Sequence, residues 1–277
     1  MNFYYSFWQT RYRPVNLQLD MWRLSVELVK KSHPKSKICL ITDSKSAPLF
    51  KTFGFSSIST KLDGIQDFQK VWSLGKIYAY KEALKDGPFI HIDADVFLWQ
   101  PLPDNLLSSK LFAQSEDKEV WSDPGYVSLE EVLQKYKKLP KAWKKILDAK
   151  ENFKTINMGI FGGTDTKVIS KYCDFVLNMV ADKEYQDLWA GVGLGKDVVT
   201  CLACMVEQLN LAHFVRENKI KPTFLLDDVE DSTKKAHLRY THLMGLKNNP
   251  EIMRSISKRV RTTPYNLKPR QPGFTSW

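Results

Sequence analysis

A chain of 277 residues, 43% hydrophobic and 26% charged, carries enough apolar material for a sizeable core, and this composition excludes a disordered, fibrous or collagen-like protein. No stretch approaches the ~20 apolar residues a bilayer span requires, and MNFYYSFWQTRYR has aromatic and polar residues where a signal peptide would need an apolar run. Forty-one Lys and Arg against 31 Asp and Glu give a formal net charge of +10, a surplus that favours anionic partners such as nucleotides, phosphorylated lipids, acidic glycans or nucleic acid. Cys39, Cys173, Cys201 and Cys204 are too few and too scattered for a disulfide framework, which suits a reducing compartment. The expectation is a cytoplasmic protein.

In chain order, Phe3 to Trp8 and Ile38 to Thr42 have the short aromatic and β-branched character of strands, and Leu17 to Lys31 between them carries apolar residues at helical spacing. Val71 to Leu84 is again helical. Asp86-Gly87-Pro88 stops it and introduces a third apolar run, Phe89 to Ile92. Strands alternating with helices predict an α/β fold with a mainly parallel sheet covered on both faces. Further along, Lys110 to Gln114 is expected as a strand, Leu129 to Lys150 as helical with a break at Pro140, Thr155 to Phe161 as a strand and Lys167 to Val180 as a helix. Residues 197 to 217 suggest a long helix, Thr223 to Leu226 a short strand, and Glu251 to Val260 a basic amphipathic helix before a Pro-containing tail. We divide the chain into residues 1–250, a catalytic domain with a helical insertion near 121–150, and a basic C-terminal helix and tail, 251–277.

The most informative stretch is Gly87-Pro88-Phe89-Ile90-His91-Ile92-Asp93-Ala94-Asp95-Val96-Phe97-Leu98. An apolar strand feeds directly into two carboxylates at i and i+2, which the strand period places on one side of the chain. Carboxylates at the carboxyl end of a parallel strand stand where open α/β sheets bind ligands, and they suit Mg²⁺ or Mn²⁺ shared with substrate phosphates. The competing interpretation is a pair of surface turn acids.

In these residues the sequence resembles the nucleotide-sugar glycosyltransferases of the GT-A fold, in particular the glycogenin-like and bacterial galactosyltransferase-like family 8. There an Asp-x-Asp motif after an apolar strand binds a divalent metal and the donor's diphosphate; the matching residues are Asp93-Ala94-Asp95. Asn157-Met158-Gly159-Ile160-Phe161 resembles the family's Asn-x-Gly strand lining the sugar pocket, and His242-Leu243-Met244-Gly245-Leu246-Lys247 resembles its late His-x-x-Gly motif. The resemblance implies a Rossmann-like mainly parallel sheet with a helical C-terminal elaboration, and a metal site of Asp93, Asp95 and His242. It implies a phosphate contact from Lys247 and transfer with retention. Glu207-Gln208 falls where the family often has an Asp-Gln pair near the acceptor and the reacting sugar. With Asn157, these are the expected catalytic residues; Asp93, Ala94, Asp95, Lys76, Asn157, Gly159, Gly245 and Lys247 are the expected donor-binding residues.

The expected function is therefore metal-dependent transfer of a sugar from a nucleotide-diphosphate donor, a UDP-sugar by preference, to a glycan, lipid-linked or protein acceptor. Two other readings stay open. A sugar nucleotidyltransferase uses a similar sheet and acid-held metal, and a non-catalytic anion-binding protein would dock its basic clusters on a membrane or on nucleic acid, the latter less favoured. The helix 251–260, with Ile252, Ile256 and Val260 on one face and Arg254, Lys258, Arg259 and Arg261 on the other, is expected first to pack its apolar side on the domain with its charges solvated, and in the competing reading to lie peripherally at the inner face of a membrane. Cys201-Leu202-Ala203-Cys204 lies in an apolar helical run and is expected as buried thiols. Gly191, Gly193, Gly195 and Lys196 fit neither Walker A nor the dinucleotide fingerprint and suggest a loop. Trp99 and Trp277 are candidate stacking residues.

Overall fold

The computed structural model describes residues 1–9, 18–65, 71–119, 136, 138–148, 153–190, 201–231 and 240–262. Its frame is a seven-stranded sheet in the order β3-β2-β1-β4-β7-β6-β8. These strands are β1 (Asn2–Phe7), β2 (Ile38–Thr42), β3 (Ser57–Ser59), β4 (Phe89–Ile92), β6 (Phe112–Glu119), β7 (Lys154–Gly163) and β8 (Thr223–Phe224). Pairs β1–β2, β1–β4, β2–β3 and β6–β8 are parallel; β7 alone runs against its neighbours β4 and β6. The protein is thus α/β with a mostly parallel, Rossmann-like central sheet flanked by helices, as the alternation of strand and helix patterns predicts.

The adjoining strands β1, β2 and β4 are buried on both faces, so they are nearly continuously apolar rather than alternating. Phe3, Tyr5 and Phe7 of β1, Leu40 of β2, and Ile90 and Ile92 of β4 turn to one core, while Tyr4, Cys39, Ile41 and Phe89 turn to the other. The first core is closed by α1 (Leu19–Ser32) through Trp22, Leu24, Val26 and Leu28. The second is closed by α2 (Leu74–Ala83), by α5 (Thr166–Ala181), whose N-cap Asp165 accepts from the Val168 N–H at 3.1 Å, and by α7 (Asn210–Glu217). Short helices α3 (Asp104–Leu107), α4 (Lys141–Asp148) and α6 (Gln186–Ala190) complete the layers. Trp143 of α4 donates its indole N–H to Asn210 Oδ1 at 2.8 Å, which ties α4 to α7.

Within the stretch expected as helical over 129–150 with a break at Pro140, α4 follows Pro140 and residues 138–140 are not helical; 129–135, 137, 149 and 150 lie outside the described residues. Two features depart from the expected elements. A second, two-stranded sheet pairs β5 (Val96–Leu98) with β9 (Tyr240–His242), antiparallel, in the register Val96 to His242. Residues 201–217 are helical, but Met205–Leu209 form a π turn. The apolar side of α8 (Pro250–Thr262) packs inward, as the favoured reading of this helix expects: Ile252 and Ile256 are buried in the core that contains α1, with Met253 and Val260 packed against it. No described helix is long and apolar enough to cross a membrane.

Candidate functional site

The carboxyl end of β4 carries the acid pair. Strand pairing continues one step past β4, with the Asp93 N–H donating to the Gly159 carbonyl at 2.9 Å, and the chain then turns through Ala94 into β5. That turn brings Asp95 against the end of β9. The Leu243 N–H donates to the Asp95 carbonyl at 3.0 Å, and His242 Nε2 lies 3.6 Å from Asp95 Oδ1. One ligand atom each from Asp93, Asp95 and His242 falls within 4.8 Å of the others. Two carboxylates and an imidazole at this separation are a donor set that fits a divalent cation of the Mn²⁺ or Mg²⁺ type.

Two lysines balance the acids. Lys76, near the start of α2, is 2.8 Å from Asp93 and 2.8 Å from Glu207 Oε1. Lys247 donates to Asp95 Oδ2 at 2.8 Å from the 3₁₀ turn Met244–Asn248. That turn begins with Met244 at φ 47°, a left-handed conformation costly for a side chain of this size, which returns the chain from His242 toward Asp95. Burial would raise the Asp95 pKa, but the Lys247 ammonium, with His242 beside it, outweighs burial and holds Asp95 well below the usual carboxylate range. Burial would likewise lower Lys76, yet Asp93 and Glu207 push it well above its ordinary value. Glu207 goes the other way: burial, with Asp93 adding to it, raises its pKa in spite of Lys76.

Glu207 sits on the π turn, a helical irregularity frequent at functional sites. Its Oε1 accepts from Tyr80 Oη at 3.3 Å, and its backbone carbonyl accepts from Tyr172 Oη at 2.8 Å. Gln208 is half-buried beside it. Asn157, on β7, accepts the Gly159 N–H on Oδ1 at 3.0 Å and donates from Nδ2 to Asp117 at 3.3 Å and to the Met244 sulfur at 3.8 Å. If the chain acts as the glycosyltransferase its motifs resemble, Asn157→Ala is expected to reduce donor turnover more than thermal stability; full turnover with a lowered Tm would make it a structural turn residue.

The structure therefore gathers Asp93, Ala94, Asp95, Lys76, His242, Lys247, Glu207 and Asn157 near the carboxyl end of the central strand β4. Two glycines have different standing. At Gly159 a Cβ would strike His242 Nδ1 and Gln114 Oε1, so this glycine makes room for protein side chains rather than for a sugar. At Gly245 a Cβ would meet nothing within 4 Å. Trp99 directly follows β5, and its indole N–H donates to Thr241 Oγ1 on β9 at 2.8 Å. Cys201 is buried, Cys204 is only half-buried, and burial raises the Cys204 thiol to about 12. Gly191, Gly193, Gly195, Lys196 and Trp277 lie outside the described residues.

Sequence reasoning missed Gln114, Asp117, Tyr80, Tyr172, Ser6 and His91. Ser6 Oγ and His91 Nε2 are 2.9 Å apart on the paired strands β1 and β4, and His91 Nδ1 has no hydrogen-bond partner among the described residues. Burial depresses the His91 pKa to about 3 and that of His33 to about 4. Both folded values lie below the unfolded value of ~6.5, so the stability these neutral rings confer is present above that pH and is lost as pH falls toward the folded values. Tm is expected to decline from about pH 6.5 downward, and His91→Gln should flatten that decline; an unchanged acid limb would contradict the assignment.

Comparison with known families resolves the chain's membership. A model of a family of unknown function, DUF6734, matches residues 3–266. The chain belongs to that family. The match takes in the whole acid-lysine-histidine cluster, from Lys76 to Lys247, as well as α8. No curated protein matches the chain.

Proposed function

We propose that this member of DUF6734 is a metal-dependent glycosyltransferase of GT-A type, which transfers a sugar from a nucleotide-diphosphate donor, a UDP-sugar by preference, to a glycan, lipid-linked or protein acceptor. The observation that carries the reading is the convergence of Asp93, Asp95 and His242 from two distant parts of the chain at the carboxyl end of β4. Asp93, Asp95 and His242 would hold Mn²⁺ or Mg²⁺. A divalent cation so held supplies Lewis-acid stabilisation for the negative charge that collects on the departing nucleoside diphosphate.

The chain's own groups have roles that follow from their settings. Lys247, whose side chain is 41% exposed, can share its ammonium between Asp95 and a diphosphate oxygen. Lys76, only 14% exposed, is held by two carboxylates and fixes the positions of Asp93 and Glu207. Glu207 has a raised pKa and suits a group that holds or moves a proton near the reacting sugar. Asn157 has an amide that both donates to and accepts from sugar hydroxyls.

A panel of nucleotide sugars incubated with the protein and Mn²⁺ or Mg²⁺ tests the reading. Release of free nucleoside diphosphate, dependent on the added cation, is the expected result. Release of pyrophosphate would instead assign a nucleotidyltransferase, and no turnover together with no Mn²⁺ binding would favour a non-catalytic anion-binding protein.

A further inference from the structure

Behind His242 lies a buried polar group that neither the proposed reaction nor the sequence motifs use. Gln114, on β6, is fully buried, and its Oε1 lies 2.7 Å from His242 Nδ1 and 2.8 Å from Tyr240 Oη, which donates to it. An amide oxygen has two lone pairs, so it can accept from both the phenol and the ring. If His242 donates through Nδ1, its other nitrogen, facing Asp95, keeps its lone pair. The pair is pressed against β7, because a side chain at Gly159 would strike both His242 Nδ1 and Gln114 Oε1.

We propose that Gln114 is a positioning residue for His242: by accepting the Nδ1 proton it fixes the tautomer and ring orientation in which Nε2 is presented, unprotonated, beside Asp95. Only the consequence for cation affinity rests on the proposed metal site. The tautomer is a property of the protein alone. A ring whose second nitrogen donates to a buried acceptor is oriented before any ligand arrives, which is how residues behind a ligating histidine tune it. Gly159 contributes by leaving the space this arrangement occupies.

The test uses the full chain labelled with ¹⁵N, without added metal, at a pH where the ring is neutral. Long-range ¹H–¹⁵N correlation spectra should show His242 protonated on Nδ1. Gln114→Leu, which keeps volume but removes the acceptor, should shift the ring toward the Nε2-protonated form and weaken Mn²⁺ binding ~10–100-fold. Gln114→Glu, which keeps an acceptor, should retain the Nδ1 proton, and so should Tyr240→Phe, which removes only the competing donor. An Nε2–H signal in the unaltered protein would overturn the proposal, since the amide would then present its nitrogen to the ring. Loss of the tautomer in Tyr240→Phe but not in Gln114→Leu would also overturn it. If Gln114→Leu fails to fold, the unaltered, Gln114→Glu and Tyr240→Phe spectra still decide. Failure of the unaltered protein to bind Mn²⁺ would sink the metal site while leaving the tautomer result to stand or fall separately.

Discussion

Replacing Asp93 or Asp95 by asparagine is expected to lower donor turnover by on the order of 10³-fold or more while the fold survives. Each change keeps the shape of the side chain and removes one negatively charged oxygen donor from the proposed cation site. The fold tolerates the loss because the partners left behind are provided for. Without the Asp93 charge, Lys76 keeps Glu207 at 2.8 Å; without the Asp95 charge, Lys247 turns to solvent from a side chain already 41% exposed. Steady-state assays beside circular dichroism would separate the two effects, and near-normal kcat in both variants would remove the acid pair from the chemistry.

The largest stability effect should come from Lys76→Met. Lys76 stands between Asp93 and Glu207, and its removal leaves two carboxylates facing each other with no cation between them. Breaking a buried pair from one side costs about 3–5 kcal/mol, which for a chain of this size corresponds to a Tm lower by roughly 6–10 °C. Pairing the change with Glu207→Gln should recover part of the loss, because only one charge then remains. The pH dependence has a definite sign: the folded pKa of Lys76 lies above its unfolded value, so its contribution is fully present below ~10.4 and fades as pH rises through the folded value. A loss under about 1 kcal/mol would mean that solvent already screens the trio.

Local pattern made much of the frame legible. β1, β2 and β4 are runs of aromatic and β-branched residues, and Asp86-Gly87-Pro88 marks the end of α2 through a 3₁₀ turn closed by Gly87 at φ 99°. The acid pair was legible for the same reason, since the strand and its acids are contiguous. His242 and Lys247 were found through family resemblance, because nothing local to residues 240–247 announces a strand that pairs with β5. Gln114 and Asp117 carried no signal. Their strand was expected to stop at residue 114 but runs to Glu119, and what makes these residues matter is their opposition to β7 and β9, which is a property of topology. The π turn was hidden within an apolar helical run, where an extra residue in the turn leaves the overall composition unchanged.

The short β5–β9 ribbon also sets the order in which the molecule can become whole. It clasps Asp95 to Lys247, residues 152 positions apart, and no local helix or hairpin can make that closure in advance. Contacts of such long range are formed only after the intervening chain has lost much of its freedom, and they slow folding accordingly. During synthesis the acids of β4 would emerge long before their histidine, so a chain halted ahead of Tyr240 has the sheet's central strands but lacks His242 and Lys247. Assembly of this cluster is therefore a late event in folding, and it reports that the turn between β4 and β5 has met residues 240–247.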